Sequence, residues 1–577
     1  MIRRSSAHYL LEGLGELGIE YIFGNLGTDH VSLIEELARW DVEGRSRPQV
    51  VLCPHENVAV HMAGGYALMT GRGQAVLVHV DAGTANAAMP MHNLFRSRLP
   101  VLLRAGRAPF SIHGELRGSR DHYVHFVQDP YDIANLVRSY VKWEYNLPSG
   151  VVVKQALRRG QALMQSDPPG PVYLTLPRET LAEEWDEAAI RSYPEARYGA
   201  VKLGGVEPAA AERIADELMR AENPIAITAY VGRNPQAPAV LEALAQECGI
   251  RVAEFNPIYL NMSHNSPCFA GFDPATLLEG ADLGLLLDVD VPFVPKSTAR
   301  ASELRWLQID VDAIKKDFPI WGFASDLRIQ ADCAIVLGQV LEIVRSKADE
   351  SFHSRVAQRL KRWKDANAQW RKRAKAAARK TGEVDALTPD YVCAVLNAKL
   401  SQDDIVINEA ISNSGAVLQQ IERTRPQTYV GLAGGGLGFA GGAGLGIKLA
   451  RPQARVVQIV GDGAFHFSTP DSVYSVAQTY GLPVFTVILD NGGWQAVKQS
   501  VLRVYPDGAA AKTDLFQSRL ESARQGDQRR LEDVARAFGA YGECCRDPAD
   551  LAAAIDRCLK AVDDGQAAVL NVRVTLL

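Results

Sequence analysis

Short apolar runs rich in β-branched residues recur along the chain, separated by longer stretches that have the period of an amphipathic helix. This alternation is typical of parallel sheets covered by helices on both faces, because a helix usually makes the crossover between parallel strands. With 577 residues, the chain is too long for a single hydrophobic core. We therefore predict an α/β protein made of several doubly wound parallel-sheet domains.

The predicted strands form three blocks, and a charged helical segment separates the second block from the third. We predict domains over residues 1–182, 200–345 and 386–577, with a solvated connecting helix within 346–385. The first and third blocks each carry a glycine-bearing turn from strand to helix, which predicts two related units around a different middle one. The predicted strands are Tyr21–Gly24, Val50–Cys53, Ala75–Val80, Val101–Arg104, Val172–Leu176, Ile225–Thr228, Leu283–Leu287, Leu304–Ile309, Ile405–Ile407, Val456–Val460, Val484–Leu489 and Val569–Val572.

Composition narrows the choice of partner and compartment. Apolar residues make up 47% of the chain and the net charge is -5, so neither nucleic acid nor an anionic membrane is an expected partner. Small molecules are the better expectation. No apolar run is long enough to span a bilayer, and the eight cysteines show no metal-ligand spacing. We therefore expect a cytoplasmic protein.

The stretch Val456-Val-Gln-Ile-Val-Gly-Asp-Gly-Ala-Phe is the most informative motif. An apolar strand that ends in Gly461-Asp462-Gly463 places a carboxylate at the carboxyl edge of a sheet, where doubly wound folds bind ligands. The next predicted strand ends near Asn491, so both side chains are expected at neighbouring strand ends. Two hard oxygen ligands suit Mg²⁺, which diphosphate oxygens and water can complete. Alone, Gly-Asp-Gly is also a common turn.

A glycine-rich segment, Gly434-Gly-Gly-Leu-Gly-Phe-Ala-Gly-Gly-Ala-Gly, precedes a predicted helix. Its glycines allow close backbone approach to a ligand. A packing turn and a nucleotide-binding loop are the alternatives.

Together these motifs resemble the thiamine diphosphate (ThDP) dependent decarboxylase and synthase superfamily, whose signature is Gly-Asp-Gly, a helix and a strand, and then an asparagine pair. The resemblance implies ThDP and Mg²⁺ as cofactors, with Asp462, Asn491 and the carbonyl of Gly493 as metal ligands. It also implies that Leu437 props the cofactor in its reactive shape. The first asparagine of the pair is Asp490 here. The remaining cofactor-binding residues implied are Gly436, Gly461, Gly463 and Ala464.

Glu56 lies at the start of a predicted helix, in Pro54-His-Glu-Asn-Val-Ala. A glutamate there commonly complements the helix dipole. The resemblance implies a further role, in which Glu56 hydrogen-bonds the aminopyrimidine ring and favours the tautomer that removes the thiazolium proton. That chemistry needs a carboxyl group in an apolar, water-poor pocket.

Val78-His-Val-Asp-Ala-Gly-Thr-Ala-Asn is similar to the benzoylformate decarboxylase version of the fold, in which a histidine before an Ala-Gly-Thr-x-Asn turn faces the substrate. His79 takes that position. A histidine bonded inside the sheet edge is the structural alternative. In Phe23-Gly-Asn-Leu-Gly-Thr, Thr28 replaces a serine that contacts the substrate carboxylate in that version.

The resemblance has one gap. That version carries a second catalytic histidine in its middle domain, and the comparable stretch here, Asp290-Val-Pro-Phe-Val-Pro, has none. We hypothesise that His113, His122 or His125, in the loop Ser111–Gln128, takes over proton transfer. Solvated loop histidines are the commoner case.

The resemblance implies decarboxylation of a 2-oxo acid, followed by release of an aldehyde or by addition to a second carbonyl compound to give a 2-hydroxyketone. An acetolactate synthase type carboligase is the nearest alternative; its FAD would lie in the middle block, where no fingerprint demands it. A non-catalytic ThDP-binding protein is an alternative of another class. The family binds its cofactor between two subunits, which implies a homodimer or homotetramer.

Overall fold

The computed structural model of the protein describes residues 3–298, 301, 303–520 and 530–575. Three separate parallel sheets with helices on their faces make up the chain. The predicted fold class, an α/β protein with three doubly wound parallel-sheet domains, is therefore confirmed. The exact domain limits stay a prediction.

The first domain contains one six-stranded parallel sheet and a short antiparallel strand pair. Its strands are β1 Arg3–Ser5, β2 Tyr21–Gly24, β3 Gln49–Leu52, β4 Gln74–Val78, β5 Val101–Arg107, β6 Glu144–Asn146, β7 Val172–Pro177 and β8 Glu184–Asp186. Its helices are α1 Ser6–Glu16, α2 Val31–Val42, α3 Glu56–Thr70, α4 Val80–Arg96, α5 Val124–Val127, α6 Val153–Gln165, α7 Arg178–Ala182 and α8 Glu195–Tyr198. The sheet order is β3-β2-β4-β5-β7-β6, and β1 pairs with β8.

The middle domain has a five-stranded parallel sheet and leads into a long connecting helix. Its strands are β9 Pro224–Thr228, β10 Arg251–Glu254, β11 Leu283–Leu287, β12 Arg305–Asp310 and β13 Leu327–Gln330. Its helices are α9 Pro208–Arg220, α10 Ala237–Cys248, α11 Ala275–Leu278 and α12 Cys333–Lys347, and the connecting helix is α13 Glu350–Ala378. The sheet order is β10-β9-β11-β12-β13.

The third domain again has a six-stranded parallel sheet, together with a short antiparallel pair formed by its first two strands. Its strands are β14 Gly382–Glu383, β15 Ala386–Leu387, β16 Ile405–Glu409, β17 Tyr429–Gly431, β18 Val456–Gly461, β19 Phe485–Asp490, β20 Tyr541–Cys545 and β21 Ala568–Arg573. Its helices are α14 Pro389–Lys399, α15 Ser414–Gln420, α16 Phe439–Ala450, α17 Asp462–Phe467, α18 Pro470–Tyr480, α19 Gln495–Val504, α20 Ala509–Thr513, α21 Leu531–Ala537 and α22 Leu551–Asp563. The sheet order is β17-β16-β18-β19-β21-β20.

The first and third sheets share one connectivity. Counted within each sheet, the strands follow the order second, first, third, fourth, sixth, fifth, whereas the middle sheet follows the order second, first, third, fourth, fifth. The predicted pair of related units around a different middle one is thus confirmed. Because the connectivity matches, equivalent strand ends in the two units are positioned in the same way to carry ligand-binding residues.

Helices α3 and α16 hold the first and third domains together through glycines. A Cβ atom at Gly65 would lie 2.1 Å from the Ala443 carbonyl oxygen, and one at Gly446 would lie 1.9 Å from the Met62 carbonyl oxygen. Only glycine permits backbones to approach this closely. Since α3 begins at Glu56, the helix that carries this residue is braced against the third domain.

Apart from β2 and β11, each predicted strand differs from the observed one by one to three residues at one end or both, and the difference at β4 moves a site residue out of the strand. Strand β4 ends at Val78, not at Val80, and His79 is the N-cap residue of α4. The predicted Ala-Gly-Thr-x-Asn turn therefore lies inside the first turns of that helix. Asp81 in the first turn complements the helix dipole, which favours helix there.

Among the helices of the described ranges, none is both long and apolar enough to cross a membrane. The eight cysteines are all free thiols, and all but Cys544 are buried.

Candidate active site

Glu56 lies at the carboxyl edge of the first sheet, as the first residue of α3. Its side chain is buried, and both carboxyl oxygens accept hydrogen bonds: Oε1 from Asn25 Nδ2 and Oε2 from Asn86 Nδ2, each at 3.0 Å. Asn25 follows β2 and Asn86 belongs to α4, so three neighbouring segments position the carboxyl group. The sequence reasoning missed both asparagines, although Asn25 stands directly after a predicted strand.

His79 is held from both sides of its ring. Nδ1 lies 2.5 Å from Asp29 Oδ1, and Nε2 lies 2.8 Å from Gln128 Oε1. The hydrogen bond from the His79 ring to Asp29, opposed by partial burial, raises the pKa of His79 above its usual range. The structure therefore gives His79 a defined orientation at the strand end. Asp29 and Gln128 were not among the predicted site residues.

Thr28 and His125 form a second part of this edge. Thr28 Oγ1 lies 3.5 Å from His125 Nε2, and His125 Nδ1 lies 3.3 Å from Asp121 Oδ1. Arg178 binds both carboxylate oxygens of Asp121, at 3.0 and 2.8 Å. Burial, followed by the nearby Arg178 charge, lowers the pKa of His125.

Of the three candidate loop histidines, the structure brings only His125 to the predicted site. His125 is buried, while His113 and His122 are exposed. The ring centroids of His122 and His125 are 6.4 Å apart. The common case of a solvated loop histidine therefore applies to His113 and His122 but not to His125.

At the carboxyl edge of the third sheet, Asp462 is the first residue of α17 and directly follows β18. Strands β18 and β19 are adjacent and parallel, with Gly461 level with Leu489. Asp462 and Asn491 are both buried at these neighbouring strand ends. Asn491 Nδ2 donates to Ser412 Oγ at 3.2 Å, and its Oδ1 accepts from the Gly493 amide at 3.3 Å.

Glycine is required at two positions of this edge. A Cβ atom at Gly463 would lie 2.3 Å from the Trp494 ring. Gly493 has a φ of 153°, and a Cβ atom there would lie 2.1 Å from the Ser518 carbonyl oxygen. Ala464 is buried within α17 beside Gly463. These residues bring backbone rather than side chains to the space between the strand ends.

The departure at Asp490 has a structural explanation. Asp490 and Arg573 are directly opposite on β19 and β21, and Arg573 Nη1 lies 2.5 Å from Asp490 Oδ2. The other carboxylate oxygen accepts from the Gly492 amide at 3.1 Å. A buried carboxylate requires such a partner. Asp490 is thus neutralised within the sheet, which explains how an acid is tolerated beside Asn491.

The glycine-rich loop before α16 is clamped from two directions. Asn93 of α4 bonds both backbone groups of Gly436, donating to its oxygen at 2.8 Å and accepting from its amide at 3.1 Å. The Glu409 carboxyl group accepts from the amides of Gly438, Phe439 and Ala440 at 2.6, 3.2 and 2.7 Å. Leu437, between these clamps, is half-buried against the core.

Glu409 is a further residue that the sequence reasoning missed. It is completely buried at the end of β16, and burial raises its pKa to about 7, although the three amide hydrogen bonds oppose that shift. Its only sequence signal was an acidic residue two positions after a predicted apolar strand. In the structure it caps α16 and fixes the loop that leads to Leu437.

Within the described ranges, no cluster of three or more His, Cys, Asp or Glu side chains forms a metal site. The proposed ligand set contains only one such residue, Asp462. A divalent ion here would therefore take its remaining ligands from amide, carbonyl, phosphate and water oxygens, which is typical of Mg²⁺ with a diphosphate.

A cavity of about 920 Å³ separates the glycine-rich loop from the middle domain. The ends of β9, β10 and β11 contribute Tyr230, Phe255 and Asp290, and the loop contributes Gly434 and Gly435. This is the point where the strand order of the middle sheet reverses, a usual ligand position in such sheets. The cavity is therefore a second candidate binding volume.

Two family models match the chain. The N-terminal thiamine pyrophosphate binding domain of thiamine pyrophosphate enzymes matches residues 4–135, and their C-terminal thiamine pyrophosphate binding domain matches residues 410–572. Together the matches cover just over half of the chain. The protein therefore belongs to the thiamine pyrophosphate enzymes and is a ThDP-dependent enzyme.

Individual relatives agree with this assignment. Benzoylformate decarboxylase from Pseudomonas aeruginosa is 28% identical over 85% of this chain and 87% of its own length. Acetolactate synthase isozyme 3 large subunit from Escherichia coli is 24% identical over 99% of this chain and 95% of its own length.

Solved structures share the fold over the full length. The ThDP-dependent 4-hydroxybenzoylformate decarboxylase of Rhodococcus jostii RHA1 has a TM-score of 0.76 at 20% identity, with 100% of both chains covered. Benzoylformate decarboxylase from Polynucleobacter necessarius has a TM-score of 0.77 at 18% identity, covering 100% of this chain and 99% of its own.

Proposed function

We propose that this enzyme uses ThDP and Mg²⁺ to decarboxylate a 2-oxo acid and, where an acceptor is present, to join the remaining fragment to a second carbonyl compound. The observation that carries the proposal is the buried Glu56 carboxyl group between Asn25 and Asn86, at a strand edge equivalent to the one that carries Asp462 and Asn491. Bound ThDP supplies a thiazolium ring that accepts the electrons released when CO₂ departs.

Each predicted residue then has a defined task. Asp462, the Asn491 amide oxygen and the Gly493 carbonyl would hold Mg²⁺, while Gly461, Gly463, Ala464 and Gly436 bring backbone to the cofactor. Leu437 supports the cofactor between two clamped loop ends. Glu56 exchanges a proton with the aminopyrimidine ring, and Thr28 and His79 face the substrate.

We further propose a homodimer or homotetramer in which the first domain of one subunit meets the third domain of another. Support comes from apolar side chains that are exposed near the carboxyl edges of the first and third sheets. Leu52, Phe467 and Val127 have relative exposures of 55%, 51% and 71%. Exposed apolar groups of this size commonly mark protein interfaces.

A cytoplasmic location also remains our proposal, supported by the eight free thiols.

The primary test is CO₂ release from a panel of 2-oxo acids, including benzoylformate and pyruvate, with ThDP and Mg²⁺. Each acid is assayed with and without an acceptor aldehyde, and 2-hydroxyketones are measured by chromatography. We expect turnover with at least one acid that disappears when ThDP is omitted. ThDP-saturated protein that processes none of them would contradict the proposal.

An acetolactate synthase type carboligase is the second candidate, because a relative of that name matches nearly the whole chain. Its FAD would occupy the cavity beside the middle sheet. Of the charged residues that line this cavity, Asp290 is paired with Arg98 and Lys315, and Arg96 and Arg503 line the cavity as well. Flavin absorbance in the purified protein, together with acetolactate formation from pyruvate, would favour the second candidate.

The non-catalytic alternative is not retained, because the chain belongs to an enzyme family.

His125 is expected to contribute to turnover, unlike the other two loop histidines. We expect His125→Ala to lower kcat roughly 100-fold, the lower range for loss of an acid-base group, because His125 lies beside Thr28. His113→Ala and His122→Ala serve as matched controls in the same loop and should stay within about two-fold of the wild type, as exposed positions usually do. Steady-state rates check this, and unchanged turnover in all three variants would reject the role.

A further inference from the structure

Asp29 and His79 form an ion pair at the N-terminus of helix α4. Asp29 is 1% exposed, and its Oδ1 lies 2.5 Å from His79 Nδ1. Its second oxygen, Oδ2, accepts from the Val80 amide at 3.3 Å, so the carboxylate is anchored at the N-terminus of α4, whose N-cap residue is His79. One carboxylate thus fixes both the ring and the backbone that carries it.

Two glycines leave room for this pair. A Cβ atom at Gly106 would lie 1.4 Å from Asp29 Oδ2, and one at Gly27 would lie 2.2 Å from His79 Nδ1. Any other residue at either position would push the carboxylate and the ring apart. The close contact is therefore set by two strand ends, not by the conformation of a single side chain.

The opposite side of the ring is also engaged. Gln128 Oε1 lies 2.8 Å from His79 Nε2. Both ring nitrogens thus face acceptor oxygens, which only the doubly protonated imidazolium can satisfy. A charge-assisted hydrogen bond to a buried carboxylate is among the stronger contacts in proteins.

The other charged groups around the pair do not replace Asp29. His30 Nε2 lies 3.4 Å from Asp29 Oδ2, but burial lowers the pKa of His30 to about 4, so it is neutral near neutral pH. Arg104 is completely buried near His30, and burial lowers its pKa to about 9. Asp81 acts on His79 only weakly, and His125 is turned toward Asp121. Asp29 is the one carboxylate in contact with the ring among the described residues.

We propose that Asp29 is the positioning residue of His79: it keeps a proton on Nδ1, so that the exchangeable proton is always the one on Nε2. This inference rests on the proposed function for its catalytic meaning. In the resting site Gln128 occupies the place opposite Nε2, and a bound substrate takes that place. Asp29 is assigned no contact with the substrate or the cofactor and acts through His79.

The proton balance is simple. When the decarboxylated fragment is protonated, the bond between Nε2 and its hydrogen breaks and a new carbon–hydrogen bond forms. His79 is left as a neutral imidazole with its remaining hydrogen on Nδ1, pointing at Asp29. Water then returns a proton to Nε2. A carboxylate in this role also favours the imidazolium, as an opposite charge at close range does in general.

The first experiment compares Asp29→Asn with the wild-type holoenzyme over pH. Because the raised pKa of His79 keeps the ring protonated until the pH passes that value, wild-type activity should fall only on the alkaline side. In Asp29→Asn we expect kcat to drop about 10- to 100-fold, part of the usual contribution of a positioned acid. The alkaline limb should move to lower pH, while KM changes little. Asp81→Asn removes a half-buried carboxylate in the first turn of α4, which raises the pKa of His79 only weakly, and is the matched control. It should leave kcat unchanged and move the alkaline limb far less than Asp29→Asn does.

The second experiment needs neither activity nor the Asp29 variant. Histidine-selective ¹⁵N NMR of the wild-type holoenzyme, with His79 assigned by His79→Gln, should show a His79 ring that stays doubly protonated above the ordinary histidine pKa of about 6.5. On losing its proton it should keep the one on Nδ1. A His79 that titrates at or below the ordinary histidine pKa of about 6.5, or that loses the Nδ1 proton first, would overturn the proposal even if no substrate is found. An unshifted pH limb in folded, cofactor-bound Asp29→Asn would overturn it as well.

Discussion

Replacing Glu56 with glutamine is expected to leave ThDP bound but to lower kcat by about 10²- to 10⁴-fold, the usual range for loss of a positioned acid-base group. Glutamine has nearly the same shape and can still accept from one of the two asparagines that bracket Glu56. It cannot exchange a proton with the aminopyrimidine ring. The loss should therefore appear in the rate of cofactor activation, measured as exchange of the thiazolium proton for deuterium by NMR.

Glu36→Gln is the matched control for Glu56→Gln. Glu36, on helix α2, is also a buried glutamate of the first domain. Its carboxyl oxygen lies 2.7 Å from Nδ1 of His8 on α1, away from the candidate site. Its replacement should lower thermal stability without changing kcat per bound ThDP. If Glu56→Gln retained wild-type proton exchange, Glu56 would be a helix-dipole residue only.

Loss of Asp462 is expected to remove the cofactor itself. Changing residues that merely orient metal ligands costs about 10- to 100-fold in metal affinity, so removal of a direct ligand in Asp462→Ala should cost at least that much. Protein purified in ThDP and Mg²⁺ should then elute from gel filtration without ThDP. Chelation of the metal with EDTA should have the same effect on the wild type, as measured by the ThDP content of the protein peak.

Asp490→Asn separates metal binding from damage to the sheet edge. This variant restores the asparagine expected from the family and removes the Asp490 carboxylate that pairs with Arg573, so we expect a lower melting temperature but normal ThDP retention. Retention of ThDP by Asp462→Ala in the presence of EDTA would show that the diphosphate is held without the proposed metal site.

The strands missing from the sequence analysis have a common position. In the three large sheets, the sequence analysis did not predict β6, β10, β13, β17 or β20, and each of these lies at the edge of its sheet. It also did not predict the short pairs β1–β8 and β14–β15, and β3 is the one edge strand of the large sheets that it did predict. Edge strands are covered less completely and need no continuous apolar run; β13, for example, alternates half-buried and exposed residues. The central strand β11, buried at every position, was predicted to the residue, and the other central strands were predicted to within three residues at each end.

The candidate site divides in a similar way. Asp462 and Asn491 stand directly after central strands, and Glu56 begins the helix that follows the edge strand β3. All three could be placed at a sheet edge from the sequence, because parallel strands all end at the same edge. Their partners could not. Asn86, Gln128 and Arg573 lie 30, 49 and 83 residues from the side chains they contact, so no local pattern links them.

The amino-acid sequence alone therefore determined the class of fold, the central strands and the strand ends that carry the site, because hydrophobic period and glycine-bearing turns are local properties of the chain. Only the tertiary structure decided the edge strands, the burial of His125 and the pairing of His79 with Asp29. These depend on which distant segments the sheets bring into contact, and the free energy of such contacts is not written in any short stretch of residues.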